Sequence, residues 1–180
     1  MAENSRDADR GTRFDAVFAA HFAAVRAYVV RRSGGAPVDD VLSETFLVAW
    51  RRLDALPEDA LPYLLGVARR VLANQRRGEA RRAALIDRLS SLASRSHGVE
   101  PVGDVFGSLG DAIAMLTAPE REALLLVAWE GLEPRRAARV VGCTPAAFRA
   151  RLHRARRRLA AHLGESQLTH FEGRATEEAR

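Results

Sequence analysis

Residues 142–145, Gly-Cys-Thr-Pro, constrain this chain more than any other stretch, because they stop one helix and start the next within a few residues. Gly142 can take the left-handed backbone that ends a helix, Thr144 is a good N-cap, and Pro145 suits the first helical position. The runs on either side, 134–141 and 145–163, then read as a helix-turn-helix. On the second run Leu152, Ala155 and Leu159 fall within about 40° of Phe148 at about 100° per residue, so one seam packs inward. Arginines crowd the rest of that surface. Arg154 and Arg157 point away from the seam, and Arg149, Arg151, Arg156 and Arg158 flank them.

All 28 basic residues are arginine and alanine occurs 33 times, so the number of arginines carries little weight and their placement carries most of it. Between Arg135 and Leu163 stand nine arginines and no Asp or Glu, a local charge of +9 against +5 for all 180 residues. Exposed helices ordinarily mix signs to relieve repulsion. A run this unbalanced, with no pairing partner inside it, fits a polyanion. Helix-turn-helix geometry favours duplex DNA, with 145–159 in the major groove and the preceding helix crossing the backbone.

The rest of the chain is also helical in period. Phe14, Val17, Phe18, His21, Phe22, Val25, Tyr28 and Val29 make one apolar face, ended by Ser33, Gly34 and Gly35. Asp39 or Asp40 can cap a second helix reaching about Leu53, with Val38, Leu42, Phe46, Ala49, Trp50 and Leu53 inward. Leu61, Leu64, Leu65, Ala68, Val71 and Leu72 set a third, whose other side carries Arg69, Arg70, Asn74, Arg76 and Arg77. Later, Phe106, Leu109, Ile113 and Leu116 form one helix, and Leu124, Leu125, Val127, Ala128 and Trp129 another. Strand-type alternation is absent. The expected class is all-α: two small helical domains, 14–82 and 108–163, joined by a flexible Ser/Gly/Pro-containing linker over 83–107, with tails at 1–13 and 164–180.

Catalysis finds no support. The five histidines are scattered, no Gly-rich phosphate loop is present, and no Ser or Cys nucleophile has an obvious base nearby. Cys143 alone makes neither an internal disulfide nor a Cys-based zinc site. Asp39, Asp40 and Glu44 are explained by capping and partner contact more simply than by a cation, so no metal or cofactor is expected. Charged residues interrupt every apolar run and the first ten residues lack a signal peptide's apolar region, so the expectation is a soluble cytoplasmic protein without membrane insertion.

The run LTAPEREALLLVAWEGLEPRRAARVVGCTPAAFRARLHRARRRL (116–159) resembles region 4, the promoter-reading domain of extracytoplasmic-function (ECF) sigma factors in the sigma-70 family of bacterial RNA polymerase. Upstream, DDVLSETFLVAWRRLDALP (39–57) resembles region 2.2, and LPYLLGVARRVLANQRRGEARR (61–82) regions 2.3 and 2.4. The two motifs occur in family order across a polar linker, and the likeness covers about 14–163. It implies a specificity subunit without catalytic residues, whose partners are core RNA polymerase and promoter DNA, duplex at −35 and opened at −10. An anti-sigma factor is a further partner it allows. The free protein is expected to be monomeric.

Residue by residue, the resemblance implies polymerase contacts at Asp39, Asp40, Glu44, Phe46, Trp50 and Arg51, an acidic start, aromatic anchors and a basic end. It implies −10 contacts at Tyr63, Arg69, Arg70, Asn74, Arg76 and Arg77, where arginine suits a single strand's backbone and Asn74 can bond a base. Arg149, Ala150, His153 and Arg154 correspond to base-facing positions at −35; Thr144, Arg151, Arg156, Arg157 and Arg158 are cast as phosphate contacts. The sequence departs from the family at Ser43, where Gln is frequent, at Tyr63 for Trp, at Arg70 for Asn and at Arg136 for Glu. A dimeric operator-binding regulator would share 109–163, but would leave the acidic-aromatic helix at 39–53 and the basic helix after it unexplained.

Two separately folded units joined by a linker should be cut between them. Limited trypsin digestion is expected to cleave first near Arg88 or Arg95. A single protected fragment running through 85–105 would contradict the reading.

Overall fold

The computed structural model describes residues 2–34, 36–89 and 107–163, and every regular element in them is helical. Two compact units emerge, Met1–Pro101 and Val102–Arg180.

In the first unit α1 (Ala2–Arg32), α2 (Val38–Arg51) and α3 (Ala60–Leu89) pack against one another, with a 3-10 turn (Leu53–Ala55) between the last two. Val25, Tyr28 and Val29 of α1 meet Val41, Leu42 and Phe46 of α2 and Leu64, Leu65, Ala68, Val71 and Leu72 of α3 in a buried core. Thr45 is fully buried as well; its hydroxyl donates to the Val41 carbonyl at 2.7 Å and so is satisfied within the core. Toward one end the core becomes aromatic. Phe18 packs on Phe22 and Phe46 with ring centroids 4.8 and 4.7 Å apart, and Phe14 meets Trp50 edge-on at 5.2 Å.

Four boundaries differ from expectation. Residues 2–13, expected as a tail, extend α1. Their sequence has no apolar stripe; what ties them down is Arg10, whose guanidinium pairs with Asp54 at 2.8 Å, donates to the Trp50 carbonyl at 2.9 Å and lies 5.2 Å from the Trp50 ring centroid. At α2 the N-cap is Pro37 with no side-chain cap, so Asp39 and Asp40 sit in the first turn, where carboxylates favour the helix dipole instead of capping. That helix ends at Arg51, and Leu53 is buried from the 3-10 turn. Finally α3 continues through Leu89, which puts Arg88 in its last turn; the expected linker beyond it, 90–106, lies outside the described residues, as does the tail 164–180.

The second unit holds α4 (Gly107–Ala114), α5 (Ala118–Ala128), α6 (Pro134–Val141) and α7 (Pro145–Leu163), with α6 and α7 at the expected bounds; α4 ends before Leu116, expected within it, and Phe106 lies outside the described residues. Gly142 is left-handed at φ 72° and ends α6. Thr144 accepts from the Ala147 backbone N–H at 3.2 Å and so caps α7. All four seam residues of α7 are buried, and the helix packs on α4, α5 and α6. On α5 the inward face is Ala123, Leu124 and Leu126, whereas Leu125, Val127 and Ala128 are only half-buried. Arg121 reaches back to the Ile113, Ala114 and Leu116 carbonyls at 3.0, 2.7 and 3.2 Å and closes the end of α4.

Glu120, at the third position of α5, is 5% exposed. The Thr117 hydroxyl donates to its Oε2 at 2.7 Å and the Thr117 backbone N–H at 3.3 Å, one half of a capping box. Arg158 of α7 donates to the same oxygen at 2.7 Å. The Thr117 hydroxyl is the main influence holding the Glu120 carboxyl below the usual range; burial opposes it, and the Thr117 N–H and Arg158 reinforce it. A carboxyl whose pKa falls on folding stabilises the native state fully above its unfolded value, about 4.3, and loses that contribution as pH drops through the lower folded value. Glu120→Gln should therefore melt at lower temperature than wild type near pH 7, and the gap should close on acidification below about pH 4. A gap that stays constant over that range would contradict the linkage.

Candidate nucleic-acid interface

The seam fixes how α7 presents its arginines. Stepping round the helix from Phe148, Arg151, Arg154 and Arg158 form one flank, Arg149 and Arg156 the other, and Ala150, His153 and Arg157 the crown opposite the seam. All but half-buried Arg151 are exposed. Each residue expected at −35 thus lies on α7 or, for Thr144, at its N-cap, where its oxygen is occupied by the Ala147 N–H and its hydroxyl proton can still be donated.

No acid stands within the arginine run, and a partner arrives from outside it: Glu120 Oε2 pairs with Arg158 at 2.7 Å and Oε1 faces Arg154 Nε at 3.7 Å. Arg158, expected as a phosphate contact, is thus also engaged by a buried carboxylate. The signal was legible, since Thr117-Ala118-Pro119-Glu120 has the T-x-x-E spacing of a capping box. Spacing along one helix cannot reveal a pair made across two.

The −10 residues divide between two sides of α3. Tyr63, Arg70, Asn74 and Arg77 fall within about 60° of arc on one stripe, with Arg70, Asn74 and Arg77 exposed and Tyr63 half-buried. On this stripe Arg70 Nε donates to the Gly66 carbonyl at 3.1 Å, and Arg77 donates to Asn74 Oδ1. Arg69 and Arg76 lie more than a quarter-turn away, and Arg76 donates to the Arg32 carbonyl, closing the end of α1. Arg76 is therefore structural in this conformation.

On α2, Asp39, Asp40, Glu44 and Arg51 are exposed, Trp50 is 36% exposed, and Phe46 is 5% exposed within the aromatic cluster, which makes it a core side chain. Sequence reasoning missed Leu47, 46% exposed and aligned with Asp40, Glu44 and Arg51 at spacings of four, three and four. An apolar residue in register with a charged stripe was its signal. Among the described residues no cluster of three or more His, Cys, Asp or Glu could hold a metal ion, and no helix is long and apolar enough to cross a membrane.

Comparison with known proteins agrees with this layout. Residues 17–82 match the family described as Sigma-70 region 2, and 106–159 that described as Sigma-70, region 4. The chain is 33% identical over 152 residues to the ECF RNA polymerase sigma factor SigC of Mycobacterium tuberculosis, covering 79% of this chain and 78% of that one. It is 30% identical over 142 residues to the ECF RNA polymerase sigma factor EcfG of Rhodopseudomonas palustris, covering 77% and 78%. Among solved structures, the sigma factor RpoE of Bartonella quintana, in complex with the anti-sigma factor NepR, shares the fold at TM-score 0.60 and 23% identity over 84% of this chain and 97% of that one. CnrH, in complex with the cytosolic domain of CnrY, gives 0.53 and 25% over 82% and 85%. With region 2 and region 4 both matched, in order and on separate helical units, the chain belongs to the extracytoplasmic-function sigma factors of the sigma-70 family.

Proposed function

We propose that this sigma factor, a specificity subunit for transcription initiation, docks on core RNA polymerase through α2, holds the opened −10 strand along α3 and reads −35 duplex with α7. The observation that carries the reading is α7 itself, clamped by four buried apolar residues and exposing arginine on both flanks and the crown. Such a helix enters a major groove about 12 Å wide, reads base edges from its first turns and grips phosphates from its flanks. Arg149, Ala150, His153 and Arg154 are the base-reading set; Arg151, Arg156 and Arg157 contact phosphate, with Thr144 donating its hydroxyl.

On α3, Tyr63 to Arg77 spans about 21 Å of helix, room for about six nucleotides at 3.4 Å each. On α2, the stripe Asp40, Glu44, Leu47 and Arg51, with Trp50 beside it, gives a charged rim around apolar anchors and suits a basic, apolar protein partner. The protein works as a monomer bound one-to-one to core polymerase in the cytoplasm. By analogy with RpoE and its partner NepR, an anti-sigma factor is a proposed regulator.

Glu44→Arg should abolish co-purification with core polymerase while leaving helical content unchanged; retained binding would remove α2 from the docking surface. Promoter binding by reconstituted holoenzyme, across salt concentrations and on templates varied through −35, tests the other end. Arg154→Ala should cost about 1–3 kcal/mol on the preferred promoter and flatten preference at one base pair. Arg157→Ala should weaken all promoters alike and reduce the salt slope by about one. If Arg154→Ala lowers affinity uniformly, Arg154 joins the phosphate contacts and Arg149 becomes the leading base reader.

A further inference from the structure

We infer that Glu120 is a positioning residue for sequence readout, holding Arg158 on the protein and orienting Arg154 toward the DNA; this rests on the −35 reading of α7. The carboxylate divides its oxygens, Oε2 on Arg158 at 2.7 Å with the Thr117 hydroxyl, and Oε1 toward Arg154 Nε at 3.7 Å. Its side chain is 6% exposed, whereas those of Arg154 and Arg158 are 57% and 52% exposed, so the acid is sheltered and the bases remain at the surface. A capping box alone would be served by glutamine as well as by glutamate. A full negative charge set between two arginines one turn apart does something more.

A guanidinium has two hydrogen-bonding edges, one made by Nε and a terminal amino group and one by the two terminal amino groups. Nε is the Arg154 nitrogen nearest Glu120, in an ion pair at 3.7 Å that is longer than a hydrogen bond, and the terminal edge is the one farther from the acid and open to the O6 and N7 of guanine. Holding a long side chain before DNA arrives also removes part of the rotamer cost of fixing it on a base. Arg158 undergoes the complementary change. Its charge is matched on the protein, which withdraws one sequence-blind phosphate contact from that flank. The carboxylate thereby exchanges general affinity for discrimination.

Reconstituted holoenzyme carrying the full chain, with duplex promoters varied through −35, provides the test. Glu120→Gln is expected to narrow the preference at the base pair read by Arg154 by roughly three- to ten-fold and to steepen the salt slope by about 0.9 as Arg158 turns to phosphate. In an Arg154→Ala background the same substitution should not narrow that preference further. Glu120→Asp, which keeps the charge, should restore the wild-type slope. Thermal melting of each variant reports folding separately, because a folding defect lowers affinity on all templates alike and leaves preference unchanged. A uniform loss of affinity with preference and slope unchanged, or a loss of preference that adds to that of Arg154→Ala, would overturn the inference and leave Glu120 a cap. If wild-type holoenzyme shows no base preference at −35, the base-reading role of α7 fails first, and that result is visible without any Glu120 variant.

Discussion

Phe148, Leu152, Ala155 and Leu159 are the side chains on which the second unit depends. They are the buried face of α7, and α4, α5 and α6 all pack against that helix. Without the seam there would be no inward side, and therefore no outward side on which arginines could be ranked by direction. Hydrophobic burial here fixes an angle as well as a stability. It turns a sequence that merely repeats arginine into a surface with two flanks and a crown, each suited to a different part of a DNA groove.

The first unit solves a different problem. Its three helices end in orphan carbonyls, and arginine closes two of those ends from a neighbouring helix: Arg76 for α1 and Arg10 for α2. In the second unit Arg121 does the same for α4. Guanidinium suits this use because its donors are spread over a planar fork and can serve more than one carbonyl. An arginine-rich composition therefore has two destinations, one internal and one turned toward partners, and only coordinates tell them apart.

That distinction marks how far the sequence could be read. The bounds of α6 and α7, the left-handed glycine, the Thr144 cap and the buried seam were all legible, because each depends on neighbours within one turn. What escaped depends on contacts between helices. Glu120 drew no attention in the sequence, yet it lies almost buried and paired with Arg158 of α7. Residues 2–13 looked like a tail because their anchor, Asp54, is 44 positions away from Arg10. The bond from Arg76 to the Arg32 carbonyl was hidden because its partner is 44 positions away. Leu47 hid in the opposite way, as an apolar residue on a face that local pattern marks as polar.

The exclusive use of arginine has a consequence for control. Basic faces built with lysine can be silenced by acylation, which removes the charge, and a histidine-rich one can be tuned by modest acidity. Acylation finds no lysine amine on the faces of α3 and α7, and guanidinium groups do not respond to modest acidity. Their charge is offset by bringing an opposite charge against it. Glu120 is an internal instance, a nearly buried acid paired with Arg158 at 2.7 Å. A brake of the same kind brings carboxylate or phosphate against these arginines, and releasing it is then a dissociation and not a change in the arginines themselves.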